Sequence, residues 1–280
     1  MEVKKLLNGC FINADKPDGP TSHDVDLMVR KMLGVDKTGH FGTLDPMVTG
    51  VLPVAVGKAT RLLQYLESGK EYAGVMNLHE EIPKKRVQEM IKKEFTGRIL
   101  QTPPVKSRVK RVERPREIYS FKILESQGRD FLFYVKCEAG TYIRKICHDL
   151  GEKLGVGAHM TELRRTRAGM FKEKDIVSMN DFARAVEEFK KGNEGPLGKM
   201  LIPMEEIVRE SLRMIEVKKD ILKRIGNGGP IFPTDIPNFK KLKLKEGEKI
   251  ALMCDGKLVS VAKVINEDKV LMKQDTVFMS

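Results

Sequence analysis

Strand-like segments in this chain come both singly, between helices, and as neighbouring pairs, and that mixture limits the fold more than any other feature. Residues 118–138 hold two strands broken at Gln127-Gly128, and the second, FLFYVKC, has the texture of a partly buried sheet. Residues 51–57 and 71–79 read as further strands. The spacing predicts a helix over 20–34: Thr21 or Ser22 can cap it, Asp24 and Asp26 suit its positive end, and Gly34 stops it. Its apolar face carries Val25, Met28, Val29, Met32 and Leu33. Helices are also expected over Lys58–Glu67 and Lys84–Phe95. Another is entered through Gly140-Thr141 and marked by Ile143, Ile146, Leu150 and Leu154. The expected fold class is therefore α+β, with a mixed, largely antiparallel sheet.

The texture changes along the chain. Residues 190–204 are richer in Gly and Pro and read as the exit from a first domain. A short strand (RMIEV), a short helix (KKDILKRI), the glycines of GNGGP and several strands follow. Asp255-Gly256 is a hairpin turn signal. The expected domains are 1–205 and a smaller, β-rich 206–280, and a length of 280 residues suits that division. The formal charge of +12 fits a polyanionic partner, and equally a solvated lysine-rich surface. Cys10, Cys137, Cys147 and Cys254 lack CxxC spacing and the five histidines form no ligand cluster, which argues against a structural zinc, a bound metal or a disulfide framework. A reducing cytoplasm is the simplest compartment. No run approaches a membrane span and no leader of signal-peptide character is present. Sparse Asn and Gln beside plentiful Lys and Glu hint at a heat-adapted source.

Three segments carry chemistry. In GHFGTLDPMVTG, 39–50, Asp45 lies in a loop of small residues just before an apolar strand. Glycines at 39 and 42 permit close backbone approach to a ligand, and Pro46 restricts Asp45 to extended conformations. Alone, this loop also fits a plain turn whose Asp bonds its own backbone. In CEAGTYIRKICHDLG, 137–151, Arg144 falls on the first turn of a helix. A partly buried Arg there needs an anion, and Asp45 would serve; a surface Arg is the simpler alternative. In HMTELRRTRAGMF, Arg164, Arg165 and Arg167 crowd around Leu163. A basic block, KSRVKRVERPR, follows Thr102-Pro103-Pro104; its Lys106, Arg108, Lys110 and Arg111 suit phosphate contacts or a solvated charged face.

Taken together these residues resemble the TruB/dyskerin family of pseudouridine synthases. Lys16-Pro17-Asp18-Gly19-Pro20-Thr21-Ser22 is similar to the family's opening KPxGxTS motif, and Gly42-Thr43-Leu44-Asp45-Pro46 with Thr49-Gly50 to its catalytic motif. Lys70-Glu71-Tyr72 is similar to its KEY motif, Gly140–Arg144 to GTYIR, and Leu163–Gly169 to LRRTRxG. The resemblance runs from Asn13 to about Phe171 and continues into a segment similar to a PUA domain. It implies a pseudouridine synthase fold with a β-barrel-like PUA domain, and isomerisation of uridine within RNA without a cofactor. Asp45 would be the catalytic aspartate, Tyr72 would stack on a flipped uracil, and Arg144 would pair with Asp45. Tyr142 and Leu163 would line the base pocket, His40 would sit beside the catalytic loop near the RNA, and Lys16 and Pro17 would support the site. Arg164 and Arg165 join the basic block as expected RNA contacts. Such chemistry needs the base out of its stack, an aromatic platform beneath it and an ionised carboxylate. Phe41 departs from the family, which usually has a small residue there.

The segments HFGTLDPMVTGVLPVAVGKATR, TPPVKSRVKR and EAGTYIRKICHDLGEKLGVGAHMTELRRTR are most similar to the archaeal and eukaryotic branch that works within box H/ACA ribonucleoproteins. That resemblance implies an H/ACA guide RNA, rRNA as substrate and possibly tRNA. It also implies three protein partners: a zinc-ribbon-like protein, a glycine/arginine-type β-barrel protein and a kink-turn-binding protein. An ending at Phe278-Met279-Ser280, without a basic tail, favours the archaeal side. The alternatives are a stand-alone tRNA synthase acting on the T-loop uridine and a non-catalytic RNA-binding scaffold.

Overall fold

A computed structural model describes residues 2–66, 69–103, 110–239, 242–267 and 269–279. A short helix, α1 (Val3–Leu6), leads into β1 (Gly9–Lys16). The expected first long helix is α2 (Ser22–Leu33). Thr21 caps it by accepting from the Asp24 N–H while Asp24 accepts from the Thr21 N–H, and Gly34 ends it in the left-handed conformation at φ +64°. β2 (Thr38–His40) and β3 (Thr49–Gly57) follow. Lys58–Tyr65 is a 3₁₀ helix, tighter and shorter than the helix expected there.

β4 (Lys70–Leu78) alternates strictly between buried and half-buried residues, so one face lies on the core. Next come α3 (Lys84–Glu94), β5 (Gly97–Gln101), β6 (Arg114–Gln127), β7 (Asp130–Cys137), α4 (Ile143–Leu154) and β8 (Ala158–Ala168). The short β9 (Phe171–Lys172) and β10 (Val177–Ser178) precede α5 (Met179–Lys190). Among the described residues these strands build one mixed sheet in the order β10-β1-β3-β8-β4-β7-β6-β5. Most neighbours are antiparallel; β3 and β8 meet in parallel over only two rungs, Thr49 opposite Arg164 and Gly50 opposite Arg165.

The glycine- and proline-rich exit is woven back into the first unit. It forms α6 (Gly195–Met200) and β11 (Ile202–Pro203), and β11 pairs with β1 at Cys10 and Phe11. Helix α7 (Met204–Ser211) spans the expected 205/206 boundary. Beyond it, β12 (Arg213–Glu216), α8 (Leu222–Gly226), β13 (Lys249–Cys254), β14 (Lys257–Glu267) and β15 (Val270–Val277) carry a second sheet in the order β12-β13-β14-β15. Asp255 and Gly256 both have positive φ, as the tight hairpin turn between β13 and β14 requires.

β1 divides the apolar packing. Cys10, Ile12 and Ala14 face the main core with Val54, Phe131, Phe133 and Ile146, while Phe11 faces the other side. There it joins Val51, Ile207, Val208, Ala251, Met253 and Val261 in a seam between the two sheets. Polar bonds edge this seam: the Tyr65 hydroxyl donates to Asp275 at 2.7 Å and Arg61 donates to the Val277 carbonyl at 2.7 Å.

Candidate active site

The loop between β2 and β3 is held from three sides. From β1, the fully buried Lys16 ammonium donates to the carbonyls of Pro17, Pro46 and Val48 at 2.8, 2.6 and 2.9 Å. Three charge-assisted bonds satisfy a group whose burial otherwise lowers its proton affinity, an effect opposed by Asp18 and Asp45. From the N-terminus of α2, the buried Ser22 hydroxyl accepts from the Leu44 N–H at 2.8 Å and donates to the Leu44 carbonyl at 3.0 Å. From β8, the buried Arg165 donates to the carbonyls of Val51 and Gly42 at 2.7 and 2.8 Å. Gly50 takes φ +99°, and a Cβ there would lie 2.3 Å from the Arg165 carbonyl oxygen, so only glycine lets β3 approach β8 this closely.

Asp45 is thereby fixed at its backbone while its side chain stands at the surface. Arg144, on the first turn of α4, donates to Asp45 Oδ2, so the expected pairing is present. It is not partly buried as the sequence suggested: the two side chains are 51% and 58% exposed. Water screens such a pair, and its contribution is orientation more than stability. Arg144 also reaches Met47 Sδ at 3.9 Å, and Met47 is itself exposed at the lip.

Tyr72 lies behind the pair on β4, buried, opposite Arg165 in the sheet register. Burial raises the proton affinity of its hydroxyl, and the Arg165 charge works against that rise. Leu163 is buried on β8 opposite Gly74, where a Cβ would come within 2.8 Å of a Leu163 methyl. Tyr142 is the residue before α4, and its backbone N–H and carbonyl both bond the buried Gln101 side chain, at 3.0 and 3.2 Å. His40 contacts Asp26 at 2.6 Å through Nδ1 and Thr43 at 3.0 Å through Nε2, beside the loop. Asp45 and Arg144 thus meet directly and the Asp45 charge acts on the Tyr72 hydroxyl, while Leu163 lies on β8, the strand paired with β4, Tyr142 stands two residues before Arg144, and His40 lies on β2 at the start of the loop.

The other basic expectations fare unevenly. Arg165 is 1% exposed and its guanidinium is engaged by loop carbonyls, so it offers no phosphate contact and acts as a brace for the loop. Arg164 is half-buried between Asp15, at 3.0 and 3.2 Å, and Glu173, at 2.5 Å, which neutralise it. Arg167 is tied to Glu71 at 3.2 Å. Lys110 and Arg111 are exposed, and Lys106 and Arg108 lie outside the described residues. Ser22, Gln101 and Lys70 build the site beyond what the sequence shows: Ser22 reads there only as a candidate helix cap, Lys70 stands inside a motif with no role of its own, and Gln101 carries no signal. Burial pushes the thiols of Cys10, Cys137 and Cys147 up to about 12, and among the described residues no three His, Cys, Asp or Glu converge on a metal position. No helix among them is long and apolar enough to cross a membrane.

The chain as a whole is similar to known proteins. Residues 30–143 match the TruB family pseudouridylate synthase N-terminal domain, and residues 144–209 match the tRNA pseudouridylate synthase B C-terminal domain. A Methanopyrus kandleri protein named "Probable tRNA pseudouridine synthase B" is 48% identical over 89% of this chain and 74% of its own length. A Methanosarcina barkeri protein of the same name is 45% identical over 98% and 81%. A chain from the crystal structure of a Cbf5-Nop10-Gar1 complex superposes with a TM-score of 0.88 at 39% identity, covering all of this chain and 88% of that one. One from an H/ACA RNP bound to a substrate RNA containing 2′-deoxyuridine reaches 0.87 at 37% identity, with coverage of 100% and 88%. Agreement at this level, along nearly the whole sequence and over both sheets, shows that the chain belongs to the TruB family and is a pseudouridine synthase.

Proposed function

We propose that this enzyme is the catalytic subunit of an archaeal box H/ACA ribonucleoprotein and isomerises uridines in rRNA chosen by a guide RNA. The observation that carries the reading is the superposition of the entire chain, C-terminal sheet included, on subunits solved in Cbf5-Nop10-Gar1 and H/ACA RNP complexes. In this reading residues 1–205 are the catalytic domain and 206–280 a PUA domain that grips the guide RNA. Zinc-ribbon-like, glycine/arginine-type β-barrel and kink-turn-binding proteins complete the particle, which works in the cytoplasm.

Asp45 supplies the essential carboxylate. Pinned by its own loop, it meets the flipped nucleotide without reorganising, which is where a fixed charge accelerates most. Tyr72 and Leu163 form the floor beneath the uracil, Tyr142 its side, and Arg144 aims the carboxylate. His40 stands where the neighbouring nucleotides pass, and Lys106, Arg108, Lys110 and Arg111 follow the backbone phosphates. The N1–C1′ bond breaks, the uracil turns and C5 bonds C1′, the proton leaves C5 and N1 gains one, so the product is an isomer and no redox partner or phosphate donor is needed.

The names of the archaeal relatives favour a second reading, direct action on tRNA. Pseudouridine formation by the purified chain on a tRNA transcript, set against the same chain with an H/ACA guide, its target and the partner proteins, separates the two. Turnover confined to the guided reaction supports the particle; efficient turnover on bare tRNA moves the stand-alone enzyme to first place. Removal of residues 212–280 tests the domain roles: guide-RNA affinity should fall at least about tenfold, and unchanged affinity would refute the PUA reading.

A further inference from the structure

Lys70 opens β4 two residues before Tyr72, on the same face of the strand. It is 5% exposed, and among the described residues its ammonium nitrogen has no hydrogen-bond partner. What it has is a ring: Nζ sits 3.5 Å from the centroid of Phe41. It also touches the next residue of the catalytic loop, since a Cβ on Gly42 would lie 3.3 Å from Lys70 Cε and 3.4 Å from Nζ. The buried amine therefore bears on the two loop residues that lead, through Thr43 and Leu44, to Asp45.

Burying an ammonium without an acceptor opposes folding, and an unbranched apolar side chain of similar length would avoid that cost. Packing thus gives no reason for a lysine here, whereas the loop does. A cation over a ring face in a dry environment is held more strongly and more directionally than an apolar contact. We propose that Lys70 is a positioning residue for the reaction: its ammonium clamps the Phe41 ring and so fixes the loop that aims the Asp45 carboxylate. The assignment rests on Asp45 being the reacting carboxylate.

The groups facing Lys70 set when the clamp is closed. Arg165 comes from β8, and Cys137 lies opposite Lys70 on β7, with a thiol pushed up to about 12 and hence neutral. Tyr72, on the same strand, is also held neutral by burial. Desolvation, assisted by Arg165, brings Lys70 down to about 7. The cation is present below neutrality, and the clamp opens as the pH rises through that value.

The test is the single-turnover rate of the full chain, in whichever assembly the wild type turns over, for Phe41→Leu, Lys70→Met, the double variant and Lys70→Arg. At pH 6 each of the first two should be about tenfold slow with substrate affinity within about twofold, and the double variant should be no slower than the worse single one. The wild-type rate should fall severalfold between pH 6 and 8.5, a fall that Lys70→Met loses. Lys70→Arg, charged throughout, should hold its pH 6 rate to pH 8.5. Losses that multiply, an unchanged rate in Phe41→Leu, or a wild-type pH profile in Lys70→Met would overturn the assignment. Phe41→Leu decides the matter if Lys70→Met fails to fold. Asp45→Asn run alongside keeps the two ideas apart: activity surviving in it removes the premise, while its loss with unaffected Phe41→Leu removes only the clamp.

Discussion

The floor of the site and its rim are built on opposite terms. Beneath the catalytic loop, Lys16, Lys70 and Arg165 are buried cations engaged by carbonyls or a ring. At the rim, Asp45 and Arg144 form an ion pair that water reaches freely. Charge is thus used twice: dry and immobile where it must hold backbone, wet and accessible where it must meet RNA. The contrast teaches that the loop's main chain is held before substrate arrives, while the exposed Asp45, the proposed reacting group, and its partner Arg144 stand in water that a docking RNA would displace.

The sharpest way to break the contrast is at the rim. Asp45→Asn should lower turnover at least about a thousandfold while leaving RNA affinity within about twofold, because the carboxylate acts in the transition state. Single-turnover assays with parallel filter binding check both halves; a variant keeping a tenth of the wild-type rate removes Asp45 from its role. Arg144→Ala should cost about a hundredfold in rate yet shift folding stability by under about 0.5 kcal/mol, as befits an exposed pair. Denaturant titration beside the rate measurement tells orientation from stability.

At the floor the balance reverses. Lys16→Met leaves the Pro46 and Val48 carbonyls without their donor and should destabilise the chain by about 2–3 kcal/mol, measured by urea unfolding. Lys70 gives the opposite sign. Its folded proton affinity, at about 7, lies below that of an unfolded lysine, so between pH 7 and 10 the unfolded chain binds more protons and stability rises with pH. The wild type should gain about 2 kcal/mol from pH 7 to 9 relative to Lys70→Met, and equal slopes would refute the depressed affinity.

Much of this was legible in the sequence because the informative residues are contiguous. The α2 caps, the Asp255-Gly256 turn, the α4 stripe and the strand at β4 are local signals, and each stands as read. Asp45 and Arg144 came through motif resemblance and meet in space. What was not legible is burial across the fold. Arg165 reads like its neighbours Arg164 and Arg167, yet sheet pairing turns it inward under Gly42. The exit segment reads as a linker because it is richer in Gly and Pro, and its pairing with β1 is a contact some 190 residues distant. Gln101 reads as one polar residue before a proline pair, and only the sheet brings it to the backbone of Tyr142.

The two-rung junction of β3 with β8 also bears on when the enzyme comes into being. Thr49 and Arg164 are separated by 115 positions, and the brace from Arg165 to Gly42 spans slightly more. Closing so long a stretch of chain comes late, after helices and hairpins that need only neighbours. On a ribosome the order is stricter still: a nascent chain that has exposed the whole motif around Asp45 has not yet synthesised what holds it. The carboxylate is translated early and its geometry late, so a truncated or still-growing product carries the reactive loop without the means to use it.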